Sequence, residues 1–457
     1  MYAIEMFKKV HYKLASYLKK DDARSQNIIR NILMSFGVKG GSILVGLILM
    51  PLTISYINPV QYGIWLTISS IVSWMSFFDI GMGNGLRNRL AESLAVGRIE
   101  DARKYVSTTY AIMTAISMAL FLSYFFLHSF INWNYILNIP PSFNDDIDFI
   151  ILVVVSSFCV QFVVQLINTV LIASHEPAKA SVITFIGQLG VLIVISIVRF
   201  FVPGSLSVLV WILTFIPVLS FVFYSIYHYR GKWKNIAPSF KLIDIKYSKD
   251  ILNIGGVFFF IQIGALVLFQ TDNIIITRVL GPEYVTTFNV AYKLFSVITL
   301  VYTILITPYW SAFTDAYIKR DFEWIRGNIY LMRKWWVALS ILALLLLVCS
   351  KWIFSLWLGE MVVVSMPLSI AMTIYVIVYM WQGLHVSFLN GAGKIKLQLY
   401  LVTISAIINI PLAIFLGKKF GVAGVISANT IVFIVMGIIF SLQVEGILKE
   451  MRVLSNK

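Results

Sequence analysis

The sequence predicts an all-α polytopic membrane protein of about twelve transmembrane helices. Three observations carry that prediction. First, 59% of the 457 residues are apolar and only 12% are charged, about half the roughly 25% of an average soluble protein. Second, the mean hydropathy is +0.86. Third, the apolar runs last about 20 residues, the length of a spanning helix, and do not alternate as barrel strands do. This composition excludes a soluble enzyme, a disordered chain and a disulfide scaffold. Cys159 and Cys349 both lie inside apolar runs and form no metal or disulfide pattern.

Taken in order, residues 1–30 form a basic segment (Lys8, Lys9, Lys13, Lys19, Lys20) with no short apolar core or small-residue cleavage site after it. It reads as an amphipathic helix anchored on the cytoplasmic face, with binding of anionic membrane lipids as the functional alternative. Spans follow at about 31–57, 60–83, 108–131, 148–173, 180–201, 206–227, 251–280, 285–312, 335–357, 364–389, 397–416 and 421–443, each set by apolar run length. Tight turns are expected at Pro59, Pro203-Gly204 and Gly281-Pro282, each closing a helical hairpin. Residues 228–250 form a cytoplasmic linker, and residues 444–457 form a cytoplasmic tail.

The net charge of +15 has a topological explanation, because cytoplasmic loops of membrane proteins collect Lys and Arg. Assigning alternate loops to alternate sides puts 29 Lys and Arg on one side and only Lys418 and Lys419 on the other. Both termini are therefore expected in the cytoplasm. The acidic, Pro-containing loop Pro140 to Asp148 falls on the outer side. No aromatic-basic module is present, so no nucleic acid partner is expected.

The chain reads as duplicated. Pro59-Val60-Gln61-Tyr62-Gly63 is matched by Pro282-Glu283-Tyr284-Val285, 223 positions later. The loop Ala91-Glu92 to Arg103 is matched by Thr314-Asp315 to Arg326 at the same offset. Two six-helix lobes follow, residues 31–227 and 251–443. An even number of spans gives both the same orientation, so a pseudo-two-fold axis runs along the membrane normal, an arrangement suited to alternating access.

The end of span 2 reads Phe78-Asp79-Ile80-Gly81-Met82-Gly83-Asn84-Gly85-Leu86, followed by Arg87, Arg89 and Ala91-Glu92. With the Pro59 to Gly63 turn, it resembles the polysaccharide transporter family. These are bacterial flippases of O-antigen and capsule repeat units, within the superfamily of multidrug, oligosaccharidyl-lipid and polysaccharide exporters. The resemblance covers most of the chain. It implies a two-lobed bundle that carries an undecaprenyl-diphosphate-linked glycan from the cytoplasmic to the periplasmic leaflet. It also implies other polysaccharide-assembly proteins as candidate partners, and no cofactor.

Ionisable groups inside the membrane cost at least about 2.5–3.5 kcal/mol each, so they are expected to face a cavity or a partner. Lys39 and Asp79 lie equally far from Pro59, and Asp272 and Lys293 lie almost equally far from Pro282. At about 1.5 Å per residue, the first two lie some 30 Å from the outer turn and the second two some 15 Å. Each couple is either a self-neutralising ion pair or a working site. In the latter, Lys39 and Lys293 bind the diphosphate and Asp79 or Asp272 takes up a coupling proton or sodium ion. Arg87, Arg89 and Arg30 at the cytoplasmic ends are candidate phosphate ligands, with positive-inside anchoring as the alternative. Arg199 and Arg278 are expected to snorkel.

Uncharged polar residues form a candidate lumen lining. Gln161, Gln165 and Asn168 share one face of span 4, and Gln262, Gln270 and Asn273 lie on span 7. Gln382, His385 and Asn390 lie on span 10. They bind sugar hydroxyls or act as interhelical glue. No metal-ligand spacing and no phosphate loop is present, so a secondary transporter is expected and not an enzyme. The rivals are a drug or organic-cation antiporter of the same architecture and, from another class, a membrane glycan polymerase or transferase.

Overall fold

The computed structural model describes residues 23–455 apart from 80, 142, 144, 175, 252–270, 319 and 395. The described residues are almost wholly helical and contain no strand. They form α1 (Ala23–Tyr56), α2 (Pro59–Ser73), α3 (Met82–Ala95), α4 (Ile99–Leu127), the short α5 (Trp133–Ile136), α6 (Ile147–Val164) and α7 (Leu166–Ala173). After these come α8 (Pro177–Val198), α9 (Leu206–Arg230), α10 (Pro282–Ile318), α11 (Phe322–Leu358), α12 (Met366–Gly391) and α13 (Lys396–Ser455). Among the described residues, nine helices are long and apolar enough to cross a membrane. The fold is that of an all-α polytopic membrane protein.

Several predicted spans differ from simple rods. Span 2 does not run unbroken to residue 83. Its α-helix ends at Ser73, a 3-10 stretch covers Trp74–Asp79, and α3 begins at Met82. The break follows from Gly81, whose φ of 74° lies in the left-handed region. The Asp79 carboxylate accepts the Gly81 N–H at 2.7 Å and so serves a backbone donor at the start of α3. Spans 11 and 12 run into one another as α13, but Gly421 is non-helical (φ 63°, ψ −148°) and separates two helices. Span 7 lies mostly outside the described residues, and 271–279 are helical.

Several helices outlast their apolar stretch toward the basic side. α4 begins at Ile99 and α11 at Phe322, well before the apolar runs at 108 and 335, because Asp321 caps the Trp324 N–H at 3.1 Å and Glu100, Asp101 and Glu323 favour helix N-termini. On α11, Val337, Ile341, Leu344, Leu345, Val348, Trp352 and Leu356 are exposed while Ile329, Met332, Leu339, Ala343, Ser350 and Phe354 are buried or face neighbours. In lipid the first set is the solvent-matched face, and the second makes the packing contacts.

The chain divides into two compact units. Unit 1 comprises residues 1–52, 76–131 and 149–259, and unit 2 comprises 53–75, 132–148 and 260–457. Within this division α2 belongs to unit 2.

The core of unit 1 joins Met82, Leu86 and Leu90 of α3 to Val106 and Met113 of α4, Phe162 of α6, Ile167 and Leu171 of α7, Ile183 of α8 and Phe221 of α9. α3 packs so closely that a Cβ on Gly85 would overlap the Ile251 carbonyl. On the basic side, Glu176 accepts from Lys179 at 3.0 Å and from Lys232 at 2.7 Å. Burial opposes its ionisation, but the hydrogen bonds from Lys232 and Lys179 outweigh that and hold its carboxyl below the ordinary value. A lowered folded value means that the stabilisation is present above the unfolded pKa of about 4.3 and is lost as pH falls through the folded one. Hydrogen exchange at residues 231–236 is therefore expected to speed up below about pH 4. Glu176→Gln should produce the same loosening at pH 7, costing no more than about 1 kcal/mol because both lysines reach solvent.

Unit 2 is built on the seam of α2 with α10. A Cβ on Gly63 would overlap the Pro282 carbonyl oxygen, so only glycine allows this approach. Thr286 donates to the Pro59 carbonyl at 2.6 Å, and the Thr67 and Thr277 hydroxyls meet at 2.5 Å. Further along, Phe313 of α10 packs edge-on against Phe388 of α12 with ring centres 5.4 Å apart, and Phe295 and Phe440 are fully buried.

Candidate functional site

The one predicted intramembrane carboxylate that the structure buries is Asp272, at 5% exposure. It lies in unit 2 on the helical segment 271–279. One carboxylate oxygen accepts from Asn429 of α13 at 2.6 Å. The other has no hydrogen-bond partner, nor does the Asn429 carbonyl oxygen. On the preceding half of α13, Asn409 is fully buried with neither its oxygen nor its nitrogen satisfied. Each such orphan in an apolar interior costs about 1–3 kcal/mol. Interior oxygens without donors are the chemistry that a proton or a small cation satisfies.

Aromatic hydroxyls complete the surroundings. Tyr292 of α10 and Tyr375 of α12 interact electrostatically with Asp272, and each does so with Tyr379. Tyr292 stacks on Phe288, with ring centres 6.2 Å apart and planes 16° from parallel. Tyr375 stacks on Tyr379, and both contact Phe433. Tyr292 keeps 40% of its own surface open. Neither the tyrosines nor Asn409 and Asn429 were picked out from the sequence. Two lone asparagines in long apolar runs were the available signal, since unpaired amides are costly there.

Lys293 sits next to Tyr292 on α10 and is half-buried. The hairpin symmetry that matched it with Asp272 does not bring them together, and no ion pair within 4.0 Å joins them among the described residues. Equal depth on two helices is not contact, because the residues can lie on different faces. The first couple behaves likewise: Lys39 is exposed on α1, Asp79 is taken by the start of α3, and no ion pair joins them. The two lysines are cations inside apolar segments with no carboxylate on them among the described residues.

Asn273 is drawn into the seam. Its amide donates to Ser70 at 2.7 Å, and its oxygen accepts from Asn289 at 2.8 Å, which is the interhelical-glue arrangement. Gln161, Gln165 and Asn168 are half-buried, and the helix breaks at Gln165, which precedes α7. The Asn168 oxygen is buried without a partner. Gln262 and Gln270 lie outside the described residues, as does the side chain of Arg30.

Arg87 is exposed on α3. Arg89 pairs with Glu92 at 2.9 Å, which occupies part of its guanidinium, while its buried Nε has no partner. Arg278 does not simply snorkel. It donates to the Tyr135 carbonyl and lies 3.9 Å from the centre of that ring, so the short α5 fixes it by a cation–π contact. His385 is fully buried, with Nδ1 2.9 Å from the Trp381 carbonyl and Nε2 unpartnered. Among the described residues, no group of three or more His, Cys, Asp or Glu could hold a metal.

Comparison with known proteins agrees with this fold. A family model described as polysaccharide biosynthesis protein matches residues 28–313, and a second, described as MatE, matches residues 258–415. A putative O-antigen export protein of Yersinia pseudotuberculosis is 23% identical, covering 73% of this chain and 76% of its own. A putative O-antigen transporter of Salmonella typhi is 21% identical over 80% of this chain and 84% of its own. Among solved structures, the inward-facing conformation of a multidrug resistance MATE family transporter of the MOP superfamily matches 90% of this chain and 95% of its own, with TM-score 0.75 and 12% identity. An outward-facing conformation of such a transporter matches 93% and 96%, with TM-score 0.60 and 14% identity. With more than half of its length matched by that first model, the chain belongs to the polysaccharide biosynthesis protein family.

Proposed function

We propose that this protein is a flippase that moves an undecaprenyl-diphosphate-linked oligosaccharide, an O-antigen or related repeat unit, from the cytoplasmic to the periplasmic leaflet of the inner membrane. The observation that carries this reading is Lys293, a half-buried cation with no counter-carboxylate among the described residues, on the same helix as the part-exposed Tyr292. A diphosphate supplies the missing negative charge, and a ring such as Tyr292 offers an apolar face to a sugar. The relatives' names, O-antigen export protein and O-antigen transporter, support the same substrate class.

In this mechanism two six-helix lobes, residues 31–227 and 251–443, rock about an axis along the membrane normal. Lys293 binds the diphosphate, Lys39 and Arg87 are further candidate phosphate ligands, and the polyprenyl tail stays in lipid. Both termini are cytoplasmic, consistent with the 29-to-2 distribution of Lys and Arg. An inside-negative potential favours export of negative charge by about 2.3 kcal/mol per charge per 100 mV. Asp272 takes up the coupling proton or sodium ion on its unpartnered oxygen, and Asn429 orients the carboxylate. No chemistry is performed on the substrate.

The test is transfer of lipid-linked glycan to the outer leaflet in proteoliposomes. Lys293→Ala and Lys39→Ala should each slow transfer about tenfold or more, the loss of one charge-assisted contact of about 1.5–3 kcal/mol. Undiminished transfer in both variants would remove the lysines from the mechanism. A second reading, an organic-cation antiporter, is favoured by the buried Asp272 and by the multidrug transporters with the same fold. Movement of ethidium-like cations without glycan transfer would establish it instead.

A further inference from the structure

The linker between the two repeats is strapped to unit 1. Its path follows the basic-side end of α4. Arg103 donates to the Ala237 carbonyl at 3.0 Å, and the Ser239 N–H donates to Ser107 Oγ at 3.0 Å. Thr108 Oγ1 receives the Asp244 N–H at 3.0 Å and donates to the Asp244 carbonyl at 3.2 Å. Tyr247 donates to Asp101 at 2.8 Å, and Tyr105 to Asp250 at 3.3 Å. Ile236 is buried in the unit 1 core.

A strap held this firmly could have turned its apolar side chains inward, as it does with Ile236. Instead it holds Phe240 at 94% exposure and Ile245 at 74%, with Ile243 also exposed. Scattered exposed apolar residues are ordinary. Three within six positions on a fixed segment, alternating with the exposed Lys241 and Lys246, are the interfacial pattern of apolar wedge and basic flank. Residues 228–250 carry six Lys and Arg against only Asp244 and Asp250, and both acids are engaged by protein donors. The lipid-facing stripe of α9, which includes Leu219, Phe223, Ile226 and Tyr227, ends immediately before this segment.

We infer that residues 239–246 form a membrane-surface anchor, with Phe240 and Ile245 inserted among the acyl chains and Lys241 and Lys246 on anionic headgroups. The occupant is the anionic bilayer surface on the basic side, not a partner protein. The charge excess matches anionic lipid, and wedges that emerge singly between lysines suit headgroup insertion better than a packed protein interface. By this anchor, α4 and the core of unit 1 are held at a defined depth. The inference rests on the membrane-spanning fold and not on the substrate.

The test uses the full-length chain with Cys159 and Cys349 replaced by alanine and an environment-sensitive fluorophore on Phe240→Cys or Ile245→Cys. Both positions are open, so labelling leaves the strap's hydrogen bonds intact. In bilayers containing phosphatidylglycerol, a blue-shifted emission quenched by acyl-chain nitroxide lipids is expected. Lys241→Glu with Lys246→Glu should reverse most of that shift, and so should replacing phosphatidylglycerol with phosphatidylcholine. A water-like emission quenched by iodide in every lipid would overturn the anchor. So would a shielded probe that nitroxide lipids do not quench, since that reports protein burial. Equal insertion in neutral and anionic bilayers would overturn the headgroup assignment.

Discussion

Gly63→Ala is expected to produce the largest loss of stability of any single methyl addition on the α2–α10 seam. The added Cβ would overlap the Pro282 carbonyl oxygen, with Thr286 also close by. The obstacle is backbone at the first turn of α10, so no rotamer change relieves it. Overpacking typically costs about 1–3 kcal/mol, and a clash with backbone belongs at or above the upper end. The displaced helices would also strain the Thr67–Thr277 hydroxyl contact and the Thr286 bond to Pro59. Thermal unfolding in detergent should therefore show a drop of several degrees. Gly37→Ala is the control, because a Cβ there meets nothing within 4 Å. It should be neutral or slightly stabilising, as Ala favours helix by up to about 1 kcal/mol. If both variants unfold alike, the close approach of α2 and α10 is not a determinant of the fold.

Asp272→Asn is expected to abolish coupled transport while leaving the fold intact. The amide oxygen of the new side chain can still accept from Asn429, so the 2.6 Å contact is replaceable. What disappears is the charge. Removing an uncompensated carboxylate from a buried site does not destabilise, because its desolvation penalty goes with it. If Asp272 carries the coupling cation, the variant forfeits about 2.3 kcal/mol per 100 mV for that charge, or about 50-fold in the accumulation ratio. Glycan transfer driven by an imposed potential or ion gradient would measure this directly. Full gradient-driven transfer by Asp272→Asn, with unfolding unchanged, would leave the carboxylate without a coupling role. Asn429→Ala should give a milder defect, since the carboxylate remains but loses its orienting donor.

The structure alters the site in one instructive way. Matching depths about Pro59 and Pro282 left a self-neutralising ion pair open for each lysine with its own aspartate. Instead, Asp79 serves the backbone of α3 and Asp272 faces Asn429, while Lys39 and Lys293 carry no partner carboxylate among the described residues. In the proposed mechanism, this separation leaves the lysines available to an anionic headgroup.

The sequence by itself determined the membrane class, the helical element type and the positions of most spans. These follow from apolar run length and charge distribution, which are local properties that lipid enforces on each segment separately. It also showed which ionisable residues fall within apolar runs, because that is read by counting along the chain. Only the tertiary structure decided which of those residues meet. Azimuth around each helix depends on neighbours far away in the chain: Gly63 against Pro282, Asp272 against Asn429, Tyr379 against Phe433. The break at Gly81 and the strap of residues 237–250 on α4 were likewise decided there. Each rests on hydrogen bonds of a few specific atoms, which no run length encodes.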